Sequence, residues 1–115
     1  MYSTARNWAK LGQLMLNGGE MNGTRLVSEQ WVRDSVQHNQ AKNRDDYGCF
    51  WWLNSREDYA RWPSSPVNAY SSLGSRDQRV TVIPDQELVI VRLEWSDRKY
   101  RDDENFASIL TWFAE

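Results

Sequence analysis

The first twenty residues have the hydrophobic pattern of an amphipathic helix closed by glycine. Ser3 or Thr4 can cap its start, because a side-chain hydroxyl accepts a hydrogen bond from the free N–H groups of the first turn. Gly18-Gly19 ends it, since glycine takes the left-handed C-cap conformation at little cost. The predicted apolar stripe consists of Ala5, Trp8, Leu11 and Met15, with Leu14 beside it.

A second, shorter helix is predicted after a turn at Asn22-Gly23. Ser28 is its expected N-cap, and Glu29 lies in the first turn, where the helix dipole favours a negative charge. The helix is expected to end near Gln37. The polar, aperiodic segment 38–46 is expected to be a surface loop.

The second half of the chain predicts an antiparallel sheet. Aromatic and β-branched runs favour strands at 47–53, 67–73, 78–83 and 88–93. Segment 54–66 is expected to be a loop, and 84–87 to be a hairpin turn. Because 88–91 is apolar at every position, both faces of that strand are expected to be covered. It should then lie in the middle of a sheet, with helices on each side.

A final helix is predicted after Asp102 or Asp103, either of which can cap it. Its apolar stripe consists of Phe106, Ile109, Leu110 and Phe113. The elements together predict an α+β fold in a single domain over residues 1–115. In this fold an antiparallel sheet of three to four strands packs with N-terminal helices and a C-terminal helix.

Composition and charge exclude several functions. Apolar residues make up 40% of the 115 and charged residues 26%, which is a globular profile. The net charge is −2, so nucleic acid and anionic membranes are not expected partners. Seven tryptophans predict a large aromatic core or interface. No membrane span and no signal peptide are predicted, so the chain as written is expected in the cytoplasm.

The remaining candidate groups give no complete site. Cys49 lies in an aromatic run and is expected to be a buried, inert thiol. His38 is the only histidine and is expected to be a solvated loop residue. The spacing of these two residues gives no metal site, and no cofactor is predicted. The acidic runs 45–46 and 102–104 are expected to be a loop and a helix N-terminus.

Three blocks of the chain, in order, resemble the serine hydrolases of the β-lactamase and penicillin-binding-protein superfamily. Residues 3–12 and 16–19 are similar to the family helix written S-A-R-D-x-A-x-x-G…L-N-G-G, and 26–32 to the helix start that follows it. The third block runs from Gly74 through 94–96 into the last helix. The resemblance implies the C-terminal part of the β-lactamase/transpeptidase-like fold. It points to the class C-like, esterase or amide-hydrolase branch, in a family whose members are often periplasmic or secreted.

The resemblance also implies an acyl-transfer site. In the family a serine of a Ser-x-x-Lys motif attacks the substrate, and the lysine and a tyrosine of a Tyr-x-Asn element handle the protons. The third family element is a Lys-Thr-Gly or looser x-x-Gly triplet on the active-site strand, and Ser72-Leu73-Gly74 occupies its place. The backbone N–H of Ser75 is then the candidate oxyanion donor.

Two departures from the family pattern affect the expected substrate. The lysine and threonine of the triplet are absent, which favours the ester or amide branches over β-lactam binding. Asp77 stands where many relatives carry glycine. It is expected either to disturb the turn or to place a negative charge near a carboxylate substrate.

Two functions from different classes follow. The first is a truncated or partial serine hydrolase acting on an ester, amide or β-lactam, and inactive alone. No Tyr-x-Asn is present, and the Ser-x-x-Lys match at 96–99 lies in a charged loop. The second is a non-catalytic module that forms a homo-oligomer or complements a partner chain through strand 88–93. Its interface candidates are Leu88, Val89, Ile90, Val91 and Leu93, with Trp8, Trp31, Trp51, Trp52 and Trp112 covering the adjoining surface. A stand-alone enzyme is a third possibility, but no nucleophile–base pair supports it.

Overall fold

A four-stranded antiparallel sheet with helices on both faces forms the centre of the structure. The computed structural model describes residues 2–38, 46–55, 60–95 and 99–114. The helices are α1 (Ala5–Leu16), α2 (Glu29–Ser35) and α3 (Asp102–Phe113). The strands are β1 (Glu20–Met21), β2 (Thr24–Arg25), β3 (Trp52–Leu53), β4 (Tyr70–Leu73), β5 (Arg79–Ile83) and β6 (Leu88–Arg92). The α+β class is confirmed, and β1 and β2 form a separate small hairpin.

The sheet order is β3-β4-β5-β6, and every neighbouring pair is antiparallel. The three strands predicted at 67–73, 78–83 and 88–93 are confirmed, although each is somewhat shorter than expected. The predicted hairpin turn between β5 and β6 is also confirmed. It is a 3-10 turn at Pro84–Gln86, closed by Glu87 in the left-handed conformation at φ 49°.

The strand predicted at 47–53 is wrong over most of its length, because a tight turn reverses the chain within it. The N–H of Gly48 donates to the carbonyl of Trp51 at 2.8 Å. Phe50, inside this turn, takes a left-handed φ of 67°. Cys49, also in the turn, is exposed, so the expectation of a buried thiol is wrong as well.

Two apolar cores lie on opposite faces of the sheet. The first, under α1 and α2, contains Met15, Val32, Trp51, Leu53, Tyr70 and Val82. The second, under α3, contains Trp62, Ala69, Ile83 and Phe106, with Trp52, Leu88, Ile90, Tyr100 and Leu110 packed against it. Trp51 is therefore a core residue and not part of the surface cover expected from the sequence.

Strand β6 has a helix on each face, as its continuous apolar run predicts. Side chains alternate along a strand, so Val89 faces Gly12 of α1 while Leu88 and Ile90 face the α3 core. Among the described strands, however, β6 is outermost and has β5 as its one neighbour. The expected central position is not found within the described residues.

Both predicted N-caps of the first two helices are confirmed. The hydroxyl of Thr4 accepts a hydrogen bond from the N–H of Asn7 at 3.2 Å, and that of Ser28 accepts one from Trp31 at 3.0 Å. Each bond satisfies an N–H group that has no partner within the helix. The second helix ends at Ser35, slightly earlier than the sequence predicts.

The buried face of α1 differs from the predicted stripe. Gly12 and Met15 are buried, whereas Ala5 is exposed and Leu11 is 38% exposed. The helix lies close to the sheet at Gly12, where an added Cβ would be 2.5 Å from Cγ1 of Val89. The absence of a Cβ, rather than an apolar stripe, thus sets how α1 lies on the sheet.

The predicted side-chain cap of α3 is wrong. The N-cap residue is Arg101, and its side chain makes no capping hydrogen bond. The expected caps lie one and two residues into the helix, where tertiary contacts engage them. Asp102 forms an ion pair with Arg79, and Asp103 accepts hydrogen bonds from the N–H and the hydroxyl of Ser64, both at 2.8 Å. Of the predicted stripe, Phe106 is buried, Ile109 and Leu110 are half-buried and Phe113 is exposed.

The turn after β4 is joined to the start of α3 by the buried guanidinium of Arg79. Its side chain is 3% exposed and pairs with Asp102 and, at 3.3 Å, with Asp77. The carboxylate of Asp77 also accepts a hydrogen bond from the N–H of Tyr100 at 2.9 Å, and its backbone carbonyl accepts one from Arg92 at 2.8 Å. We call Asp77, Arg79, Arg92, Tyr100 and Asp102 the turn cluster.

The ring of Tyr100 contacts both arginines of the turn cluster. The guanidinium carbons of Arg79 and Arg92 are 5.0 Å and 4.4 Å from the ring centroid, a distance at which a cation is attracted to an aromatic face. Burial raises the pKa of the Tyr100 phenol, while Arg79 and Arg92 lower it. The neutral ring thus packs against both cations.

Gly12→Ala is expected to destabilise the protein by about 1–2 kcal/mol, although alanine is the better helix former. An added Cβ would lie 2.5 Å from Cγ1 of Val89, so the helix or the strand has to move. Chemical denaturation measures the free energy of unfolding. In a Val89→Ala background the same substitution is expected to be neutral or stabilising. An equal loss in both backgrounds would contradict the close contact.

Asp77→Ala is expected to cost about 2–4 kcal/mol, because it removes a partner of a buried cation and leaves alanine at φ 62°. Asp77→Asn keeps one of the two acceptor oxygens and tolerates this backbone conformation, so it is expected to cost about half as much. Unfolding in urea compares the two variants. Asp34→Ala, on the exposed side of α2, is the control and is expected to change stability by less than about 0.5 kcal/mol. Wild-type stability in Asp77→Ala would contradict this role.

Candidate functional site

The predicted triplet Ser72-Leu73-Gly74 lies at the carboxyl end of β4. This strand pairs with β5 along its whole length, but with β3 only at Tyr70 and Ser71. Ser72 and Leu73 therefore extend beyond the part of β4 that β3 covers. An active-site strand needs such an end, because a ligand can then lie against its backbone.

The residue after the triplet begins a tight turn. The N–H of Gly74 donates to the carbonyl of Gln78 at 2.7 Å, and Ser75–Asp77 form a 3-10 turn between these two residues. Within the described part of the chain, the N–H of Ser75 donates to no recorded acceptor. Ser75 is exposed, so the candidate oxyanion donor is accessible. Its role remains a prediction.

Gly74 is not required by the backbone conformation. Its φ is −108°, which any residue can adopt. A Cβ added there would meet nothing closer than 3.5 Å, which is an ordinary contact distance. The fold would accept a side chain at this position, and glycine instead leaves the strand end open on its surface.

A cavity of about 250 Å³ lies beside the triplet. The first turn of α1 and the segment before it form one wall, and the ends of β4, β5 and β6 form the other. The lining residues are Tyr2, Ser3, Trp8, Ser72, Leu73, Gly74, Gln78, Arg79, Val80 and Leu93. All three triplet residues line this cavity, while Ser75 lies just outside it.

Asp77 does not place its charge in the cavity. It is absent from the lining, and its carboxylate is held by Arg79 and by the N–H of Tyr100 in the turn cluster. The left-handed φ of 62° that it adopts is one that glycine takes readily and aspartate tolerates. From the sequence, Asp77 was expected either to disturb the turn or to place a negative charge near the substrate. The structure does not place that charge in the cavity beside the strand end.

The five interface candidates do not form one surface. Val89 contacts α1 and Leu88 and Ile90 contact the α3 core, so all three lie partly beneath helices. Val91 is also half-buried. Leu93 follows β6, is 39% exposed and lines the cavity. Leu88, Val89, Ile90 and Val91 belong to the outermost described strand. At its outer edge this strand exposes backbone N–H and C=O groups rather than side chains.

Sequence reasoning missed the turn cluster. The available signal was Arg79 at the start of a strand rich in β-branched residues, since an arginine at a buried strand position needs acidic partners. The identity of the partners was not visible, because Asp102 lies far along the chain. Asp46 was also missed: it is buried and pairs with Arg61 at 2.7 Å, although it was expected in a loop.

Other groups considered from the sequence add no chemistry to the site. His38 is exposed, as expected. Residues 96–98 of the Ser-x-x-Lys match lie outside the described residues. Burial raises the pKa of Tyr70, at the start of β4, so its phenol stays neutral. In the described ranges, no three metal-ligating side chains cluster, and no helix is long and apolar enough to cross a membrane.

Comparison with known proteins agrees with the family resemblance. No family model matches the chain. The chain is 28% identical over 106 residues to a 6-aminohexanoate-dimer hydrolase of Paenarthrobacter ureafaciens, and the match covers 82% of this chain but 25% of that protein. The structure is similar to that of a proposed 6-aminohexanoate-dimer hydrolase from Bacillus anthracis. The TM-score is 0.66 at 23% identity, covering 97% of this chain and 28% of that one.

This chain thus spans about a quarter of the length of the relatives that it matches. The order of its helices and strands, the position of the x-x-Gly triplet and the match to named hydrolases agree with one another. The chain is similar to part of proteins named 6-aminohexanoate-dimer hydrolase, and over 97% of its length it shares the fold of the Bacillus protein.

Proposed function

We propose that this chain provides the substrate-facing strand of a β-lactamase-like serine hydrolase. The N–H of Ser75 then donates to the oxyanion that forms when the substrate carbonyl is attacked. The observation that carries the proposal is the position of the exposed residue Ser75 at the end of β4, next to a cavity lined by Ser72, Leu73 and Gly74. A backbone donor fixed by a turn needs no reorganisation as charge develops, which is what an oxyanion site requires.

An amide or ester is the proposed substrate, rather than a β-lactam. The lysine and threonine of the family triplet are replaced by Ser72 and Leu73, so the strand offers no cation for a substrate carboxylate. The matched relatives are named for hydrolysis of a 6-aminohexanoate dimer. An amino-acid dimer is joined by an amide bond, which fits acyl transfer to a serine followed by attack of water.

The nucleophile and its base have to come from residues other than those described. Among the described residues, no recorded hydrogen bond joins a serine or cysteine side chain to a lysine or histidine, the pairing that activates a weak nucleophile. We expect the 115 residues by themselves to be inactive. An oxyanion donor without a nucleophile retains only a small part of the rate enhancement of such enzymes.

A chimeric enzyme tests the role of Ser75. Residues 70–79 of this chain are placed in the Paenarthrobacter relative in place of the aligned segment, and hydrolysis of the dimer is measured. Ser75→Pro in the chimera is expected to lower kcat by about 10²–10³-fold, because proline has no N–H to donate. Ser75→Ala keeps the N–H and is expected to change kcat by less than about threefold.

Equal activity of the Ser75→Pro and Ser75→Ala chimeras would contradict the oxyanion role. Circular dichroism and thermal melting of both chimeras exclude a folding defect as the cause of a loss. In the separate 115-residue chain, the same two substitutions are expected to leave the background hydrolysis of a generic ester unchanged.

A second proposed function is assembly through the outer edge of β6. The observation that favours it is that β6 pairs on one side only within the described sheet, while helices cover both of its faces. A paired strand presents alternate N–H and C=O groups outward, and such an edge pairs readily with another strand. Self-association, or pairing with a complementing chain, would satisfy these groups.

Val91→Pro tests this edge. The alternation of hydrogen bonds across β4, β5 and β6 directs the N–H of Val91 outward, so proline there blocks edge pairing and spares the bonds to β5. Light scattering is expected to show a dimer or larger assembly for the wild type and a monomer for Val91→Pro. Val91→Thr keeps the N–H and is expected to assemble like the wild type. A monodisperse wild-type monomer would overturn the proposal.

A further inference from the structure

We propose that the cavity beside β4 binds the uncharged aliphatic acyl chain of an amide or ester substrate. This inference rests on the proposed function and names its substrate class. The size of the cavity suits one group of a substrate rather than a whole molecule, because about 250 Å³ is below the roughly 300–1,000 Å³ of complete ligand pockets.

The walls of the cavity are suited to an aliphatic chain. On the helix side, Trp8 provides a flat, apolar surface that is only partly buried by the protein itself. On the sheet side, Leu73, Val80 and Leu93 provide aliphatic contacts. A chain placed between these walls buries apolar surface on both sides, which is the main source of affinity for such a group.

The cavity offers no free charge. Among the described residues that line it, Arg79 is the one charged residue, and its guanidinium is held by Asp77 and Asp102 with 3% of the side chain exposed. A carboxylate in the cavity would lose its water and find no free cation among the described residues. An ammonium group would equally find no free carboxylate. The cavity therefore selects against a charged chain of either sign.

The polar groups that line the cavity are neutral. The hydroxyls of Ser3 and Ser72 and the amide of Gln78 can donate to and accept from a neutral amide or ester without any change of protonation. They lie among apolar walls, an arrangement that orients a small ligand while the apolar surface supplies affinity. This set of groups favours an amide or ester over an acid or an amine.

The position of the cavity assigns the bound group to the acyl side of the substrate. Gly74 lines the cavity, and the next N–H along the chain is that of Ser75, the proposed oxyanion donor. A carbonyl oxygen held at Ser75 lies at the mouth of the cavity. The aliphatic substituent of that carbonyl then enters the cavity along the end of β4.

Three six-carbon probes that differ in charge test the inference. Each is titrated into the ¹⁵N-labelled 115-residue chain, with backbone amide shifts as the readout. Neutral hexanamide is expected to shift the amides of Trp8, Leu73, Gly74 and Leu93, with an affinity of about 1–10 mM for so small a ligand. Anionic adipamate (the monoamide of adipic acid) and cationic 6-aminohexanamide carry their charge at the far end of the acyl chain, and both are expected to bind at least about tenfold more weakly.

Substitutions locate the binding. Trp8→Ala is expected to weaken hexanamide binding by at least about fivefold, and Ser72→Leu, which fills the cavity, is expected to abolish it. Using both variants keeps the test valid if one of them fails to fold. Trp31→Ala on α2, which does not line the cavity, is the matched control and is expected to bind like the wild type.

Equal or tighter binding of adipamate or 6-aminohexanamide would overturn the inference. Shifts centred away from the cavity, or no shifts up to the solubility limit of hexanamide, would overturn it as well. These outcomes are distinct from failure of the proposed function. If the subsite fails while the chimera still depends on Ser75, only the substrate class is lost. If hexanamide binds as expected and Ser75 has no effect, the cavity is a ligand site without the hydrolytic role.

Discussion

The guanidinium of Arg79 is almost completely buried, and the arrangement of the protein around the candidate site depends on its two carboxylate partners. Asp77 belongs to the turn after the candidate active-site strand, and Asp102 belongs to the first turn of α3. A buried cation is strongly unfavourable unless it is paired, so the turn and the helix are held at the same place in the sheet. The hydrogen bond from the N–H of Tyr100 to Asp77 joins the approach to α3 to the same point.

The same pairing determines the electrostatic character of the candidate site. Arg79 lines the cavity, but its charge is paired with Asp77 and Asp102, and Asp77 itself does not line the cavity. What remains beside the triplet is a set of neutral polar groups between apolar walls. The positive charge of Arg79 could otherwise bind an anionic substrate, but it is paired with Asp77 and Asp102.

Strand β6 is closely packed on both faces, although its outer edge has no neighbouring strand among the described residues. The missing side chain of Gly12 allows α1 to lie directly on Val89, and the α3 core covers the opposite face through Leu88 and Ile90. The helices cover the side chains but cannot cover the outward backbone groups. The relatives are about four times as long as this chain, and the proposed hydrolase and assembly functions both place a further element next to this sheet.

The sequence by itself determined what depends on local periodicity and turn chemistry. The caps at Thr4 and Ser28, the three main strands and the turn at Pro84–Gln86 follow from neighbouring residues, so they could be predicted. The x-x-Gly triplet was identified differently, from the family resemblance and the order of its motifs along the chain.

Tertiary structure decided what depends on residues that are distant in the sequence. The caps predicted for α3 became partners of Arg79 and Ser64, because tertiary ion pairs and hydrogen bonds took the place of capping. The segment expected as a strand at 47–53 became a hairpin with an exposed Cys49. Likewise, the direction in which Asp77 points could not be known before Arg79, Arg92 and Tyr100 were brought around it. Hydrophobic periodicity and turn residues predict one helix, strand or turn at a time. The partners of a buried charge depend on which distant residues the fold brings close to it.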